Sequence, residues 1–457
     1  MPDLDRLAAM RRFFESGTTR NLAFRREQLK RLQAAIQQAG PSLQRALYAD
    51  LKKNPEETWV TETGFLLNEI KDQLKHLKRR MQPEPVPTNL MNFPSRSYVV
   101  PEPLGVVLII APWNYPLQLL FTPLAGAIAA GNCVVLKASE FAPATSIAMR
   151  KIIEENFNPD YIAFTDEDGA TVIPAMMNNF RFDHVFYTGS TAIGRTISKM
   201  AAEQLVPVTL ELGGKSPCVV EADANITVAA NRICMSKFSN AGQMCVAPDY
   251  VLVHRSKKDE LVAACKTALR RFFGEDALQS HEYGKIINAR QFDRLSACLQ
   301  GQTIITGGKT DRDHLYIEPT LVDEPAADTK LMQEEIFGPL LPVISFDTYE
   351  EARAIIARHP NPLAMYVFTS DSGKANRWLT DVPFGGGCIN NTALHLTNHH
   401  LPFGGRGFSG SGNYHGKYSF DTFSHKKAIL KSPNWFDPAI KYPPFKGKLG
   451  LLKWLTK

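Results

Sequence analysis

Ser239-Asn240-Ala241-Gly242-Gln243-Met244-Cys245 presents one thiol after a run of small and amide residues. A nucleophilic cysteine needs open space where substrate approaches. It also needs backbone N–H groups close by, to hold an oxygen that turns anionic on attack. Ala241 and Gly242 leave that space. An ordinary thiol titrates near ~8.5, so only a few per cent is thiolate at neutral pH unless its surroundings lower that value. A small buried hydrophobe is the alternative role for any cysteine. That reading is kept for Cys133, Cys218, Cys234, Cys265, Cys298 and Cys388.

Two further segments complement the thiol. Glu211 ends the apolar stretch Val208-Thr209-Leu210 and is followed at once by Gly213-Gly214 after Leu212. A carboxylate at a strand end beside flexible backbone can move between positions and activate water; without Cys245 it would read as a surface strand-end carboxylate. Asn114 lies in the turn Pro112-Trp113-Asn114-Tyr115-Pro116, directly after an apolar run. Its side-chain N–H₂ can donate to an oxyanion, or its side chain can cap the next helix as an Asx turn. Gly189-Ser190-Thr191-Ala192-Ile193-Gly194 has the bare N–H groups and hydroxyls that suit a pyrophosphate at a helix start, and equally suit a plain helix cap. Lys137 and Glu140, just past the run Cys133–Leu136, either hydrogen-bond ribose hydroxyls or form a solvated pair.

These residues need a scaffold. Short continuous apolar runs, Val106–Ile110, Cys133–Leu136 and His184–Tyr187, each lead into helical texture, near 117–130, 144–156 and after 189. That alternation predicts buried parallel strands of a doubly wound α/β sheet, with ligands at the carboxyl ends of its strands. A second alternating block runs from Val208 to about Ile389. Ahead of both, Leu22, Leu29, Leu32 and Ile36 predict a helix that Gly40-Pro41 should break, before Phe65 to Leu77 resumes the pattern. Six prolines between Pro83 and Pro103 suit an extended connector or edge strand.

Length and composition set the bounds. A chain of 457 residues exceeds one core, so two or three structural units are expected. Hydrophobic content of 44% and charged content of 21% fit a globular protein. Seven scattered cysteines without a C-x-x-C pair suit a reducing, cytoplasmic compartment. The acidic opening Met1-Pro2-Asp3-Leu4-Asp5 has no secretory apolar region. From Lys426 onward eight lysines face one acid, Asp437, a local balance of +7 that leaves about −1 on the remaining chain, so the body shows no nucleic-acid footprint. His395, His399 and His400 lack partners at ligand spacing and read as loop residues, so no metal is expected.

Seven motifs occur in an order and spacing that resemble the aldehyde dehydrogenases: Trp113-Asn114; Lys137-Ala138-Ser139-Glu140; Tyr187-Thr188-Gly189-Ser190; Glu211 through Pro217; Gln243-Met244-Cys245; Glu334 through Pro339; and Pro402-Phe403-Gly404-Gly405. They span about residues 100–427. The compact length and the segment Tyr414-His415-Gly416-Lys417 through His425 resemble the class 3 branch, which includes fatty and aromatic aldehyde enzymes. The resemblance implies that Cys245 attacks an aldehyde, that Asn114 and the Cys245 N–H hold the oxyanion, and that Glu211 activates water against the thioester. It further implies that Glu335 grips a nicotinamide ribose, with Phe337 packed nearby. Met244, Asn391 and Arg406 stand where threonine, aspartate and an apolar residue are usual; none removes a group the chemistry needs.

The expected architecture is a Rossmann-like NAD-binding domain (1–83 and 104–209), an α/β catalytic domain (210–405), an oligomerisation arm (84–103 and 406–430) and a basic tail (431–457). NAD is expected, since Glu140 would repel a 2′-phosphate, with NADP left open. A homodimer is expected. The tail, rich in lysine, leucine and Trp454, either folds over the partner subunit or touches an anionic membrane. Three other readings compete. A thiol hydrolase pairing Cys245 with one of the eleven histidines would leave the Gly189–Gly194 turn and Glu335 without a role. A coenzyme A-acylating enzyme would not need Glu211, and a non-catalytic structural protein on the same fold would not need the trio of Asn114, Glu211 and Cys245.

Overall fold

The computed structural model describes residues 3–456; Met1, Pro2 and Lys457, which belong to the readings of the two chain ends, lie outside it. Three apolar runs of the sequence become the fully buried parallel strands Val106–Ile110, Cys133–Lys137 and His184–Thr188. With Ile162–Thr165 on one side and Val208–Glu211 on the other, they form a sheet in which the first strand lies between the second and the fourth. The winding therefore reverses between Val106–Ile110 and His184–Thr188. A crevice opens at such a reversal, beyond the carboxyl ends of the strands. Asn114 follows one of these two strands and Gly189 follows the other.

A second sheet of seven strands is built from later sequence. Tyr250–His254, Pro217–Val220 and Leu340–Phe346 form its parallel centre, flanked by Ala364–Phe368 and Gly386–Ile389 on one side. A third, antiparallel sheet joins Glu84–Val86, Arg96–Pro103 and Ser424–Lys431, so the proline-rich connector supplies one edge strand, Glu84–Val86, and the central strand, Arg96–Pro103, whose Pro101 and Pro103 lie beyond the reach of Glu84–Val86. After the second sheet the chain returns to the first. Gly410–Ser411 pairs antiparallel with Val208–Glu211, with Gly410 opposite Glu211.

The helix expected to break at Gly40-Pro41 does not: Leu22–Leu51 is one helix of 30 residues. Its buried stripe runs unbroken through Leu29, Leu32, Ile36, Leu43 and Leu47, all at most 1% exposed. Pro41 and Gln37 lie on the exposed face, where water can serve the carbonyl that proline leaves without a donor. Burial of the stripe outweighs the lost hydrogen bond.

The tail ends in the helix Leu449–Leu455. Its segment folds over the turn Leu90–Asn92, yet Trp435, Phe445, Leu449 and Trp454 remain exposed by about half or more. Among the described residues no helix is long and apolar enough to cross a membrane.

The helix Pro116–Ala130 is buried along its whole length and is crossed by the short helix Lys417–Thr422. A Cβ at Gly126 would stand 2.6 Å from Cβ of Ser419. Gly126→Ala gains roughly 1 kcal/mol in helix propensity, and overpacking costs about 1–3 kcal/mol. The net expectation is a lower Tm by thermal melt, and an unchanged or higher Tm would show that this crossing has room.

Candidate active site

Cys245 follows a tight turn, Ser239–Gly242, in which three successive residues take left-handed backbone: Asn240 (φ 49), Ala241 (φ 49) and Gly242 (φ 75). Only glycine fits at 242, where a Cβ would collide with the Gly338 backbone. Gln243, fully buried, anchors the turn: its Nε2 donates to Asn240 O (2.9 Å) and Lys285 O (3.0 Å), and its Oε1 accepts from Ile287 N (3.0 Å). Asn114, 2% exposed, donates from Nδ2 to Gln243 O at 3.1 Å. The Asn114 turn and the cysteine turn are thus joined directly.

Glu211 ends the strand Val208–Glu211 and is 2% exposed; among the described residues neither carboxyl oxygen has a hydrogen-bond partner. Burial alone pushes its carboxyl well above the usual carboxylate range. Burial also pushes the Cys245 thiol up, to about 12, helped by the negative charges of Glu335 and Glu211 and opposed by the backbone N–H groups of Cys245 and Val246. Burial thus disfavours both the carboxylate of Glu211 and the thiolate of Cys245.

Two cavities meet at these residues. One, with about 950 Å³ of open space, is walled by apolar side chains including Phe65, Leu119, Met235, Met244, Leu394 and Leu396. The other, about 900 Å³, runs past Trp113, Asn114, Gly189, Ser190, Glu335 and Phe337. Cys245, Glu211, Thr188, Leu119 and Leu212 line both.

The second cavity has the features a dinucleotide needs. Ser190 caps the 13-residue helix Thr191–Glu203, whose amino end opens beside it, a favourable place for a pyrophosphate. Glu335 lies against Gly213, where a Cβ would strike its carboxyl group. Burial, then the charge of Asp249, raise Glu335 to about 8, against the pull of the Gly214 N–H and of Lys215 and Arg294. Such a carboxyl can meet ribose hydroxyls. Phe337 (φ 49) turns its ring against Trp113, with centroids 5.4 Å apart at 87°.

Of the residues singled out in the sequence, Cys245, Glu211, Asn114, Gly189, Ser190, Glu335 and Phe337 are brought together here. Four others do not line the cleft. Thr191 donates to Phe408 O (3.4 Å), and Gly194 is pressed on Leu212, where a Cβ would stand 2.7 Å from Cδ2. Lys137, 2% exposed, pairs with Glu140 at 2.8 Å, and Glu140 accepts from Gly169 N at 3.3 Å. His395 faces Cys388 (3.6 Å) and His399 faces Asp72 (3.5 Å), each in a loop setting.

Several residues that shape the site were given no role by the sequence. Lys215 is buried; it pairs with Asp249 and donates to Leu331 O (2.9 Å) and Glu334 O (2.8 Å), which fixes the segment carrying Glu335. Arg294 binds Ile336 O (2.7 Å) and Gln291 (2.8 Å) on the cleft wall. His415 lines the apolar cavity, stacked on Phe403 at 5.1 Å, and burial keeps it neutral by lowering it to about 3.

Residues 5–429 match the aldehyde dehydrogenase family. The 4,4'-diaponeurosporen-aldehyde dehydrogenase of Staphylococcus aureus is 46% identical, over 96% of each chain. A dog enzyme named "aldehyde dehydrogenase, dimeric NADP-preferring" is 41% identical, over 95% of this chain and 96% of its own. The substrate-bound structure of Staphylococcus aureus AldH superposes with a TM-score of 0.97 and 45% identity, over 99% of both chains. The protein belongs to the aldehyde dehydrogenase family.

Proposed function

We propose that Cys245, Glu211 and Asn114 carry out the NAD(P)-dependent oxidation of an aldehyde to a carboxylic acid. The observation that supports this reading best is the meeting of an apolar cavity and a polar cleft at Cys245 and Glu211. Substrate and cofactor approach the same sulfur from opposite sides.

Cys245 gives its thiol proton to Glu211 in its ionised form, which passes it on to solvent; the sulfur bonds to the aldehyde carbon, giving a thiohemiacetal whose oxygen faces the Asn114 amide and the Cys245 N–H. A bound oxidised nicotinamide would supply the hydride acceptor for that carbon beside Cys245, with Phe337 and Trp113 along its cleft. What stays on the enzyme is a thioester. Glu211, ionised, then takes a proton from water; the hydroxide adds to the thioester carbon, the C–S bond breaks, and the acid leaves. Ser190 with the amino end of Thr191–Glu203 would hold the cofactor's phosphate, and Glu335 would hold ribose hydroxyls. Lys137 and Glu140, at the strand end beyond the cleft lining, are the proposed second ribose contact and favour NAD. A coenzyme A acceptor or a purely structural role leaves the buried Glu211 without purpose.

We further propose a homodimer in the cytoplasm. The strand Ser424–Lys431 pairs on one edge with Arg96–Pro103, and an open edge of that kind calls for cover. The exposed aromatics of the tail, interleaved with lysines, suit a peripheral contact with an anionic membrane.

Glu211→Gln should keep the first burst of NADH while its deacylation rate falls by about 10²–10⁴, and Cys245→Ser should show no burst. Because burial raises Glu211, its base form grows as pH rises; deacylation should climb with pH through that range in the parent and lose the climb in the Gln variant. Unaltered deacylation in the Gln variant would remove Glu211 from the reaction.

The wall of the substrate cavity predicts a chain-length series. Each added CH₂ can contribute about 0.8 kcal/mol, or about fourfold in kcat/KM, from acetaldehyde through hexanal toward decanal. Acetaldehyde as the best substrate would contradict an apolar binding path.

In vesicle sedimentation, the full chain should bind phosphatidylserine-containing liposomes more than a chain ending at Ser432. Equal, negligible binding would assign the tail to subunit contact instead.

A further inference from the structure

Lys53 and Glu62 form an ion pair with both side chains fully buried, Nζ to Oε1 at 2.7 Å. Burying two charges costs several kcal/mol per ion, and an apolar pair of similar volume is often as stable or more so. The pair therefore calls for a reason other than stability, and its contacts supply one. Lys53 Nζ has three N–H donors and three acceptors: Glu62, the carbonyl oxygen of Asn114 at 2.9 Å, and the ring face of Tyr115 at 3.7 Å. The same Asn114 carbonyl accepts a second bond from Asn240 Nδ2 at 2.8 Å. Asn240 is held in turn by Glu57, which accepts from its backbone N–H at 2.9 Å. Glu62 lies in the π-helical turn Trp59–Thr63, a wider turn of a kind frequent at functional sites. Its second oxygen accepts from Gln118 N (2.9 Å) in the first turn of the helix after Asn114.

We propose that Lys53, held by Glu62, is the positioning residue for Asn114: it fixes the Asn114 peptide, and so the direction in which the side-chain amide points. The inference rests on the reading of Asn114 as an oxyanion donor and adds to it a residue 61 positions upstream. A donor displaced by about 1 Å can cost about 10²-fold in rate.

The test uses the full chain and the rate of the NADH burst. Lys53→Met/Glu62→Gln removes both charges at similar volume; thermal melting and NAD affinity confirm that it folds. Its burst rate is expected to fall about 10–100-fold, with KM for aldehyde within about threefold of the parent. Asn114→Ala alone should also slow the burst, and adding the pair change to it should slow it no further. A pair variant within twofold of the parent, beside a slow Asn114→Ala, overturns the positioning role and leaves the oxyanion reading standing. Losses that multiply show that the pair acts independently of Asn114 and also overturn it. A fast Asn114→Ala removes the oxyanion reading and the positioning role with it. If the double variant fails to melt cooperatively or to bind NAD, Lys53→Gln, which keeps an N–H donor but no charge, enters the same cycle with the same outcomes.

Discussion

A carboxyl group kept out of water beside a half-buried thiol is the constraint around which this protein is arranged. Among the described residues Glu211 has no partner for either oxygen, and Cys245 sits where burial and two neighbouring acids oppose its ionisation. An unsatisfied buried polar group costs about 1–3 kcal/mol, so the surroundings must hold it in place. The strand Val208–Glu211 does so through its neighbours on both edges, and the left-handed turn before Cys245 does so through Gln243. Low polarity around the pair has a chemical use as well: a charge that enters or develops there is felt strongly.

The groups that meet at this point come from distant parts of the chain, and buried cations join them. Lys215 ties the Glu211 loop to the segment carrying Glu335, through Asp249 and two carbonyls. Lys53 ties the N-terminal helices to the Asn114 turn. In each case an ammonium group on a flexible stem meets several acceptors at once, which suits it for holding loops that share no secondary structure.

The sequence carried much of this because the chemistry sits in short local motifs. The thiol turn, the strand-end Glu211 and the Trp113-Asn114 turn each announce themselves within a few residues, and apolar runs marked the central strands of the first sheet. Long-range partners left no such trace. Lys53 stands in Lys52-Lys53-Asn54-Pro55, which reads as the end of a helix, and nothing local says that it reaches Asn114. Arg294 and Gln291 lie on a plain amphipathic helix. Pro41 misled for the converse reason: a local breaker was overruled by a continuous buried stripe. Lys137 and Glu140 sit at the strand end as expected and pair with each other there.

The late return of the chain to its first sheet orders events during synthesis. Gly410–Ser411 covers the edge at Glu211, Leu212 N donates to Ser409 O (3.0 Å), and Asn132 Nδ2 reaches Phe423 O (2.9 Å). A ribosome that has released only the first two hundred residues or so has exposed most of that sheet but not its closing strand. Contacts separated this far in sequence form late and slowly, and a nascent domain meanwhile carries an unpaired edge next to its most reactive carboxyl. The edge beside Glu211 is thus covered only once residues 409–423 have emerged and returned to it.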